Sequence, residues 1–348
     1  MAAILQAIQA QAALRRERIF RDRLHPLDAY DDQQLRKLYR FSRDGCIAII
    51  NRLAPKIQHP TNRNMALPPS LQVFVSLRYF ASGSLLDDTS FVHGIHTSTA
   101  CRTIQRVAHA LFDMRDEVIK FPESPEEVRA ANTSFHEIAG MPNIVGAIDG
   151  THVNLYGAPL GDDEYIYINR KGQHSLNVQL ICSANYMITN VVARWPGSTH
   201  DCRILKRSAI GQRFERRELS GILVGDSGYK LEPWLLTPVR VPQSEADQAY
   251  NRAHCKTRVL IEQVNGQVKS KFRCLNGQGI PMAPERASKV IIACCVLHNL
   301  SKQMNEPQDN YEIEEADQPA VHDQELNNPA GLATRQNIIQ NYFTGVNV

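Results

Sequence analysis

The spacing of apolar residues changes near residue 140, and this change constrains the fold more than any other feature of the chain. Before it, apolar residues recur at the three- and four-residue spacing of helices; after it, apolar runs of strand length follow one another. Four of these runs are predicted strands: 143–155, 174–184, 189–196 and 221–229. We therefore predict an α+β or α/β protein with a helical region over 1–140 and a second domain over 141–302.

The helical region begins with a predicted helix over 1–24 that carries several arginines in its second half. A helical run from Asp28 to Leu53 follows. Near the end of the region, Ser124 and Glu127 match a capping box with Pro125 at the first helical position, so a new helix is predicted to start there.

Between these segments, three predicted helices resemble a helix-turn-helix unit. They begin at Ser70, Asp87 and Ser98, and Gly94 lies in the turn before the third. The third helix would then offer Ser98, Thr99, Arg102, Gln105 and Arg106 to DNA. Any small helical bundle gives the same pattern, so a purely structural role is left open.

Charge is distributed unevenly along the chain. Residues 303–334 contain eight acidic residues and no Lys or Arg, whereas the rest of the chain has 39 basic and 28 acidic residues, an excess of +11. We predict a disordered acidic tail over 303–334 and a short C-terminal helix over 335–348. A basic body favours a polyanionic partner such as nucleic acid, for which the tail could compete; a merely solvated tail explains the charge equally well.

Cysteine usage and hydropathy favour an intracellular protein. The eight cysteines show no C-x-x-C spacing, which argues against zinc knuckles and against a disulfide framework. No apolar run is long enough to span a membrane. We therefore expect a reducing intracellular compartment and no membrane association.

The stretch VLIEQVNGQVKSKF, residues 259–272, predicts an amphipathic helix with one acid at the edge of its apolar face. Ile261, Val264, Val268 and Phe272 share the apolar face, and Arg258, Glu262, Asn265, Lys269 and Arg273 form a neighbouring polar row. This acid between cations suits a site that holds a metal ion next to a phosphate. The alternative is an ordinary surface pair between Glu262 and Arg258.

Three carboxylates are expected to converge on one site. Asp149 ends the first apolar run, Asp226 ends the fourth, and Glu262 lies on the later helix. They meet if the sheet is RNase H-like, with the fourth strand beside the first. Such a cluster can hold two Mg²⁺ or Mn²⁺ ions, which is what phosphodiester cleavage requires.

The chain resembles the PIF/Harbinger transposases and their domesticated relatives, the Harbinger transposase-derived nucleases, over roughly residues 65–300. The resemblance rests on a set of motifs: GAIDGTH, YINRKGQHSLNVQLIC, WPGSTHDCRIL, GDSGY, KSKFRCL and ACCVLHN. It implies an RNase H-like DDE nuclease domain, which we expect to contain a mixed five-stranded sheet, and DNA cleavage with a divalent metal. It also implies work in the nucleus, after import from the cytoplasm, and a Myb-like partner protein of the SANT or trihelix type.

Carried over residue by residue, the resemblance implies that Asp149, Asp226 and Glu262 are catalytic metal ligands. The family's His-Asp pair falls on His200 and Asp201, so Asp201 is predicted as a fourth ligand; Ser198 or Thr199 would cap the helix that starts there, and the alternative is that Asp201 only stabilises its first turn. DNA contacts are predicted for a set of basic residues: Arg102, Arg106, Arg170, Lys171, His174, Arg258, Lys269, Lys271 and Arg273.

Two histidines are assigned no site role. Strand alternation sends His152 to the face opposite Asp149, and His298 is interpreted as a satisfied core histidine.

The predicted function is metal-dependent cleavage of DNA by a nuclease or transposase, with strand joining left open. Two alternatives from other classes remain: a non-catalytic DNA-binding or scaffold protein, and a hydrolase of small phosphate esters. The basic excess outside the tail favours a polymeric substrate, and the intact carboxylates favour catalysis. Whether the chain is an active transposase or a domesticated nuclease, and whether it forms a homodimer, is left open.

Overall fold

The computed structural model describes residues 4, 25–61, 65–307 and 328–344. The predicted helix over 1–24, apart from Ile4, lies outside the described residues, as do residues 308–327 of the predicted acidic tail. Within the part of the chain that is described, no helix is both long enough and apolar enough to cross a membrane.

Eight helices precede the sheet in the described residues. They are α1 (Pro26–Ala29), α2 (Asp32–Tyr39), α3 (Arg43–Ile57), α4 (Pro69–Ser82), α5 (Leu86–Val92), α6 (Thr97–Phe112), α7 (Arg115–Val118) and α8 (Pro125–Ala139). The three helices predicted from Ser70 are therefore present as α4, α5 and α6. Helix α8 begins at the predicted capping box of Ser124 and Glu127. A DNA-binding role for α6 stays a prediction.

The stretch from Asp28 to Leu53, predicted to be helical, is divided by local caps into three helices. Asp31 and Gln34 form a capping box that starts α2. Arg40 then has a left-handed backbone with φ 69°, and the Ser42 side chain accepts a hydrogen bond from Gly45 N to start α3. The apolar period continues across both breaks, which is why spacing alone did not reveal them.

A mixed five-stranded sheet follows, as predicted. Its strands are β1 (Ile144–Asn154), β2 (Ser175–Cys182), β3 (Ile188–Pro196), β4 (Ile222–Val224) and β5 (Leu235–Leu236). The order is β3-β2-β1-β4-β5. The pairs β1–β2 and β2–β3 are antiparallel, whereas β1–β4 and β4–β5 are parallel. The fourth strand therefore lies beside the first, as the convergence of the carboxylates requires.

The pairing of β1 with β4 ends early. Ala147 pairs with Val224, after which the chain leaves β4 through Gly225 and Asp226, while β1 continues to Asn154 in pairing with β2. Strand β4 is consequently much shorter than the predicted run over 221–229. In the described part of the chain, β4 thus leaves the edge of β1 uncovered from Ile148 until Asn154, whose carbonyl accepts from Ile280 N at 2.8 Å, and side chains from both faces of β1 can reach that opening.

Five helices complete the described fold: α9 (Asp201–Arg207), α10 (Ala209–Glu215), α11 (Glu245–Lys271), α12 (Pro284–Gln303) and α13 (Pro329–Tyr342). On one face of the sheet, Ile148 packs in a cluster with Leu205 of α9 and Phe214 of α10. On the other face, Ala147 belongs to the large core that includes Val264 of α11. The sheet is therefore covered by helices on both faces, which explains its nearly continuous apolar strands.

The C-terminal boundaries differ from the predicted ones. Helix α13 begins at Pro329, ahead of the predicted residue 335, because the Asn328 side chain caps it by accepting from Ala330 N at 3.0 Å. Glu306, counted with the acidic tail, belongs to the folded body: its carboxylate accepts from Ser42 N at 3.1 Å, at the start of α3. An acid at a helix N-terminus is stabilising, so Glu306 links the segment after α12 to the start of α3.

Helix α12 is fixed to the sheet by two neighbouring buried side chains. Asn299 accepts from Ile188 N at 2.8 Å and donates to Ile188 O at 2.7 Å and Val118 O at 3.2 Å. The His298 ring hydrogen-bonds Tyr186 O at 2.9 Å and is 1% exposed. His298 is therefore a core histidine with a hydrogen-bond partner, as predicted.

His298 should make the protein less stable in mild acid. Burial lowers the pKa of His298 from 6.5 to about 3. Below pH 6.5 the unfolded chain binds a proton at this position that the folded chain does not, so folding stability falls as the pH falls. We expect His298→Gln to remove about 1.4 kcal/mol of this loss per pH unit, measured by urea unfolding at neutral and mildly acidic pH. His136→Gln, at an exposed position, is the control, and an unchanged pH dependence in His298→Gln would contradict the prediction.

Candidate active-site cleft

A cleft of about 1060 Å³ lies at the open edge of β1. Several segments line it: part of β1, the segment 168–173 ahead of β2, Asn177 of β2, residues 197–201 at the start of α9, the loop 226–228 after β4, Pro238, one row of α11, and Leu275 and Asn276 beyond α11. The four acids predicted as ligands, Asp149, Asp201, Asp226 and Glu262, all line this cleft.

Asp149 lies in the middle of β1 rather than at its end. It follows the last residue pairs with β4, so its side chain lies at the start of the open edge. Its Oδ2 accepts a hydrogen bond from Asn265 Nδ2 of α11 at 3.0 Å. Burial raises the pKa of Asp149 well above its usual range, and the negative charges of Asp226, Asp201 and Glu262 raise it further, while Arg258 lowers it.

Asp226 reaches the cleft because β4 ends two residues before it. Its Oδ1 accepts from Gly228 N at 3.0 Å, which fixes the turn. Burial raises the pKa of Asp226, whereas the Gly228 N–H and the positive charges of Arg258 and Arg170 lower it. The negative charge of the Asp226 carboxylate is thus only partly balanced by the neighbouring N–H group and arginines.

Asp201 is the first residue of α9, and its side chain turns away from that helix. The N-cap is His200, so the predicted capping by Ser198 or Thr199 is wrong. Asp201 Oδ1 accepts from Asn177 Nδ2 of β2 at 2.8 Å. The carboxylate lies directly over Gly150, where any Cβ would collide with it. This position favours a role in the cleft over a role as a helix cap.

Glu262 is paired with Arg258, and both side chains lie inside the cleft. Arg258 Nη1 is 2.6 Å from Glu262 Oε1, and the two side chains are only 19% and 15% exposed. The pair foreseen as an ordinary surface contact therefore exists, but it lines the same cleft as the three aspartates. The predicted apolar face of this helix is buried as expected.

The nine predicted DNA contacts separate into three groups. Arg170, Lys171, Arg258 and Lys269 line the cleft. Arg102 and Arg106 instead line a separate cavity of about 720 Å³ on α6, together with Lys56 of α3. There Arg106 Nη1 lies 2.6 Å from His59 Nε2 and 3.3 Å from Gln72 Oε1.

The remaining three predicted contacts line neither the cleft nor the cavity on α6. The Nε2 atom of His174 is enclosed, because the residue pairs with Ile168 at the start of the β1–β2 hairpin. Lys271 is 9% exposed and places its ammonium 4.9 Å from the centre of the Phe41 ring. Arg273 is exposed but lies beyond the end of α11, in a 3-10 turn. The helix ends at Lys271, so the predicted extension of its polar row from Lys269 to Arg273 was wrong.

Sequence reasoning missed three side chains in the cleft wall. Asn177 and Asn265 each donate a hydrogen bond to a cleft carboxylate. Asn177 alternates with Gln179 along an otherwise apolar buried strand, a signal that could have revealed it. His152 does point to the face opposite Asp149, yet it still lines the cleft, because the cleft extends around the open edge of β1.

The donor set suits a hard divalent cation. Asp149, Asp201 and Asp226 bring like charges into one buried region, and burial raises the pKa of each; carboxylate oxygens are the ligands that Mg²⁺ and Mn²⁺ prefer. In the geometry of the described residues, however, no three acidic, histidine or cysteine side chains lie close enough to form a ready-made cage. Glu262 faces Arg258 in that geometry. The chemistry fits the ion, and binding would require small side-chain adjustments.

Comparison with known proteins places these residues in a recurring domain. Residues 148–299 match the family model described as DDE superfamily endonuclease. Over 278 residues the chain is 35% identical to HARBI1 of Homo sapiens, a protein named as a nuclease, with 79% of each chain covered.

Two further relatives are more distant. An ALP1-like protein of Arabidopsis thaliana is 28% identical over 68% of this chain and 61% of its own. A protein of Microchaete diplosiphon named as a transposase of insertion sequence element IS702 is 23% identical over 60% of this chain and 71% of its own. No solved structure matches the chain. The matched family region contains all four cleft acids.

Removing the charge of Asp201 should stabilise the protein in alkaline buffer that contains a chelator. Burial raises the pKa of Asp201 to about 6, so the charged form opposes folding above that pH, and the penalty fades as the pH falls from 6 towards 4. We expect Asp201→Asn to raise the free energy of unfolding at pH 8 by up to about 3 kcal/mol, and to have little effect near pH 4.

The control for this experiment is Asp247→Asn, which should have the opposite sign. Asp247 caps α11 by accepting from Gln243 N and Ser244 N, and these bonds lower its pKa. Denaturant unfolding of both variants at the two pH values gives the comparison. If Asp201→Asn were as destabilising as Asp247→Asn, Asp201 would be a helix-stabilising acid instead.

Proposed function

The chain belongs to the family of Harbinger transposase-derived nucleases, and on that premise we propose that it is a divalent-metal-dependent enzyme that cleaves phosphodiester bonds of DNA. The observation that carries the proposal is one cleft in which four carboxylates lie beside Arg170, Lys171, Arg258 and Lys269. Carboxylates can hold cations, and the basic side chains can hold the phosphates of the same strand.

In the proposed mechanism, Asp149, Asp201 and Asp226 would hold two Mg²⁺ or Mn²⁺ ions, which when bound would supply activation of the attacking oxygen and stabilisation of the leaving oxygen. Asn177 and Asn265 orient two of these carboxylates by donating hydrogen bonds to them. Gly150 leaves the space that the Asp201 carboxylate occupies.

Glu262 completes the proposed ligand set once Arg258 releases it. The Arg258 guanidinium now binds Glu262 at 2.6 Å. A DNA phosphate can take the same guanidinium, since arginine binds carboxylate and phosphate with similar geometry. Substrate binding would then free Glu262 for the metal site. The chain's own residues in this way link strand binding to assembly of the site.

The second candidate function is non-catalytic binding of DNA by a domesticated member. The Arg258–Glu262 pair favours it, since a chain that never binds metal would neutralise a buried acid in this manner. Hydrolysis of a small phosphate ester is the weaker alternative, because cations from several segments along a cleft of about 1060 Å³ suit a polymer better.

We further propose that the protein works in the nucleus after import from the cytoplasm, on DNA, and with a Myb-like partner of the SANT or trihelix type. These proposals rest on the resemblance of the sequence motifs to the Harbinger family. Strand joining, in addition to cleavage, requires that a 3′-hydroxyl replace water as the attacking group in the same cleft. Co-purification of a partner tests the proposed Myb-like interaction, and localisation of a tagged chain tests the proposed work in the nucleus.

Replacing the cleft acids should abolish cleavage while sparing DNA binding. We expect Asp226→Asn and Glu262→Gln each to lower Mg²⁺- or Mn²⁺-dependent nicking of supercoiled plasmid at least ~100-fold, more than the usual cost of losing an outer-sphere partner. Binding in a gel-shift assay should change little, since the cations hold the strand. Glu245→Gln, on the same helix but in its exposed first turn, is the control. Full nicking by a folded Glu262→Gln variant would remove Glu262 from the ligand set.

Two nearby lysines on α11 should separate DNA contact from packing. Lys269 lines the cleft, so Lys269→Ala should weaken binding equally for all sequences and reduce the slope of log affinity against log salt by about 1. Lys271 is buried against Phe41, so Lys271→Ala should lower the melting temperature and leave the salt slope unchanged. Fluorescence anisotropy at several salt concentrations measures these slopes. Equal slopes for wild type and Lys269→Ala would show that the DNA strand does not contact Lys269.

A further inference from the structure

Two of the cleft aspartates are held in the same way by asparagines from different parts of the chain. Asn265 Nδ2 of α11 donates to Asp149 Oδ2 at 3.0 Å, and Asn177 Nδ2 of β2 donates to Asp201 Oδ1 at 2.8 Å. Both asparagines line the cleft, and they are only 9% and 3% exposed. Each aspartate therefore has an amide partner inside the cleft wall.

These contacts fix which way each amide points. An ionised carboxylate, which is the form that binds a cation, accepts hydrogen bonds only, so the NH₂ group of each asparagine faces it and the Oδ1 atom faces elsewhere. Both Oδ1 atoms are buried, and neither accepts a hydrogen bond from any described residue. A buried acceptor without a donor is costly to keep, and such atoms in native proteins call for a specific explanation.

The surroundings indicate which donor would suit these two oxygens. The cleft presents carboxylates, which attract cations, and water coordinated to a divalent cation is a strong hydrogen-bond donor. Outer partners of this kind are known to orient the groups that bind a metal. The two asparagines are the side chains in the described cleft wall that combine a carboxylate on one end with an unsatisfied acceptor on the other.

We propose that Asn177 and Asn265 are positioning residues for hydrated divalent cations, each orienting an aspartate through Nδ2 and accepting a hydrogen bond from cation-coordinated water through Oδ1. This inference rests on the proposed function and extends it to two residues on different elements. Asn177 also donates to Thr199 O at 2.8 Å, so it ties the loop before α9 to β2 as well. Within the described residues, the Asn265 side chain has no second tie of this kind besides its bond to Asp149, which makes it the cleaner test.

The experiment measures metal binding without relying on catalysis. The melting temperature of the full-length protein is titrated with MnCl₂ or MgCl₂ for wild type, Asn265→Leu and Asn177→Leu. Leucine keeps the buried volume but removes both the donor and the acceptor. We expect wild type to melt at higher temperature with metal, and both variants to need about 10–100-fold more metal for half of that shift. Plasmid nicking should require the same higher metal concentration.

Gln267→Leu is the matched control. Gln267 lies on α11 two residues from Asn265, is 7% exposed and does not line the cleft. It should keep the wild-type metal midpoint even if its melting temperature without metal falls. A general loss of packing would lower the melting temperature without metal in all three variants. Only Asn265→Leu and Asn177→Leu should also raise the metal concentration at half of the shift.

The outcomes separate this inference from the proposed function. If wild type shows neither a metal-dependent melting shift nor nicking, the proposed function fails. If wild type responds and Asn265→Leu responds at the same metal concentration, the positioning role is overturned. Asn265→Ala, which only removes atoms, replaces the leucine variant if that one does not fold, and the same midpoint comparison then decides.

Discussion

The early end of the pairing between β1 and β4 determines where chemistry can occur in this fold. Because the last pair joins Ala147 to Val224, β1 runs on with one open edge, and the chain after β4 is free to bring Asp226 to that edge. Side chains from both faces of β1 then reach a common space, as Asp149 and His152 do. A longer β4 would cover the edge and remove the cleft, so the shortness of this strand is a condition for the site.

The cleft concentrates negative charge in a buried region, which opposes folding. Burial and the neighbouring acids both raise the pKa of Asp149, and Arg258 is the cation that acts most directly against them. That arginine lies on α11, whose opposite side belongs to the large apolar core through Ile261 and Val264. The stability lost in the cleft is therefore offset by burial along the same helix, in keeping with the strain that functional sites commonly retain.

Sequence patterns predicted the elements well but their side-chain directions less well. The place of the fourth strand beside the first, and the meeting of Asp149, Asp226 and Glu262 in one cleft, followed from apolar spacing together with the family resemblance. The inward turn of Lys271 could not be foreseen, because it depends on Phe41, which is distant in sequence and adjacent only after folding. The same holds for Asn265, whose role is defined by Asp149 on another element. Periodicity assigns a residue to a face, whereas contacts across elements assign its partner.

Helix α11 also connects the cleft to the helical region. Its row of cleft residues ends at Lys269, and from Lys271 onward the chain turns towards the helical region, where Arg273 O lies so close to Gly83 that a Cβ there would be 2.7 Å away. Gly83 has φ 63°, so glycine suits this position both for its left-handed backbone and for the close approach. The helical region is thereby packed against the end of the helix that carries Glu262. Other contacts join the same two regions, among them the hydrogen bond from Asn299 Nδ2 to Val118 O at 3.2 Å and the bond from Arg213 Nη2 to Glu123 Oε2 at 2.9 Å, so the helical region is fixed to the second domain at several points.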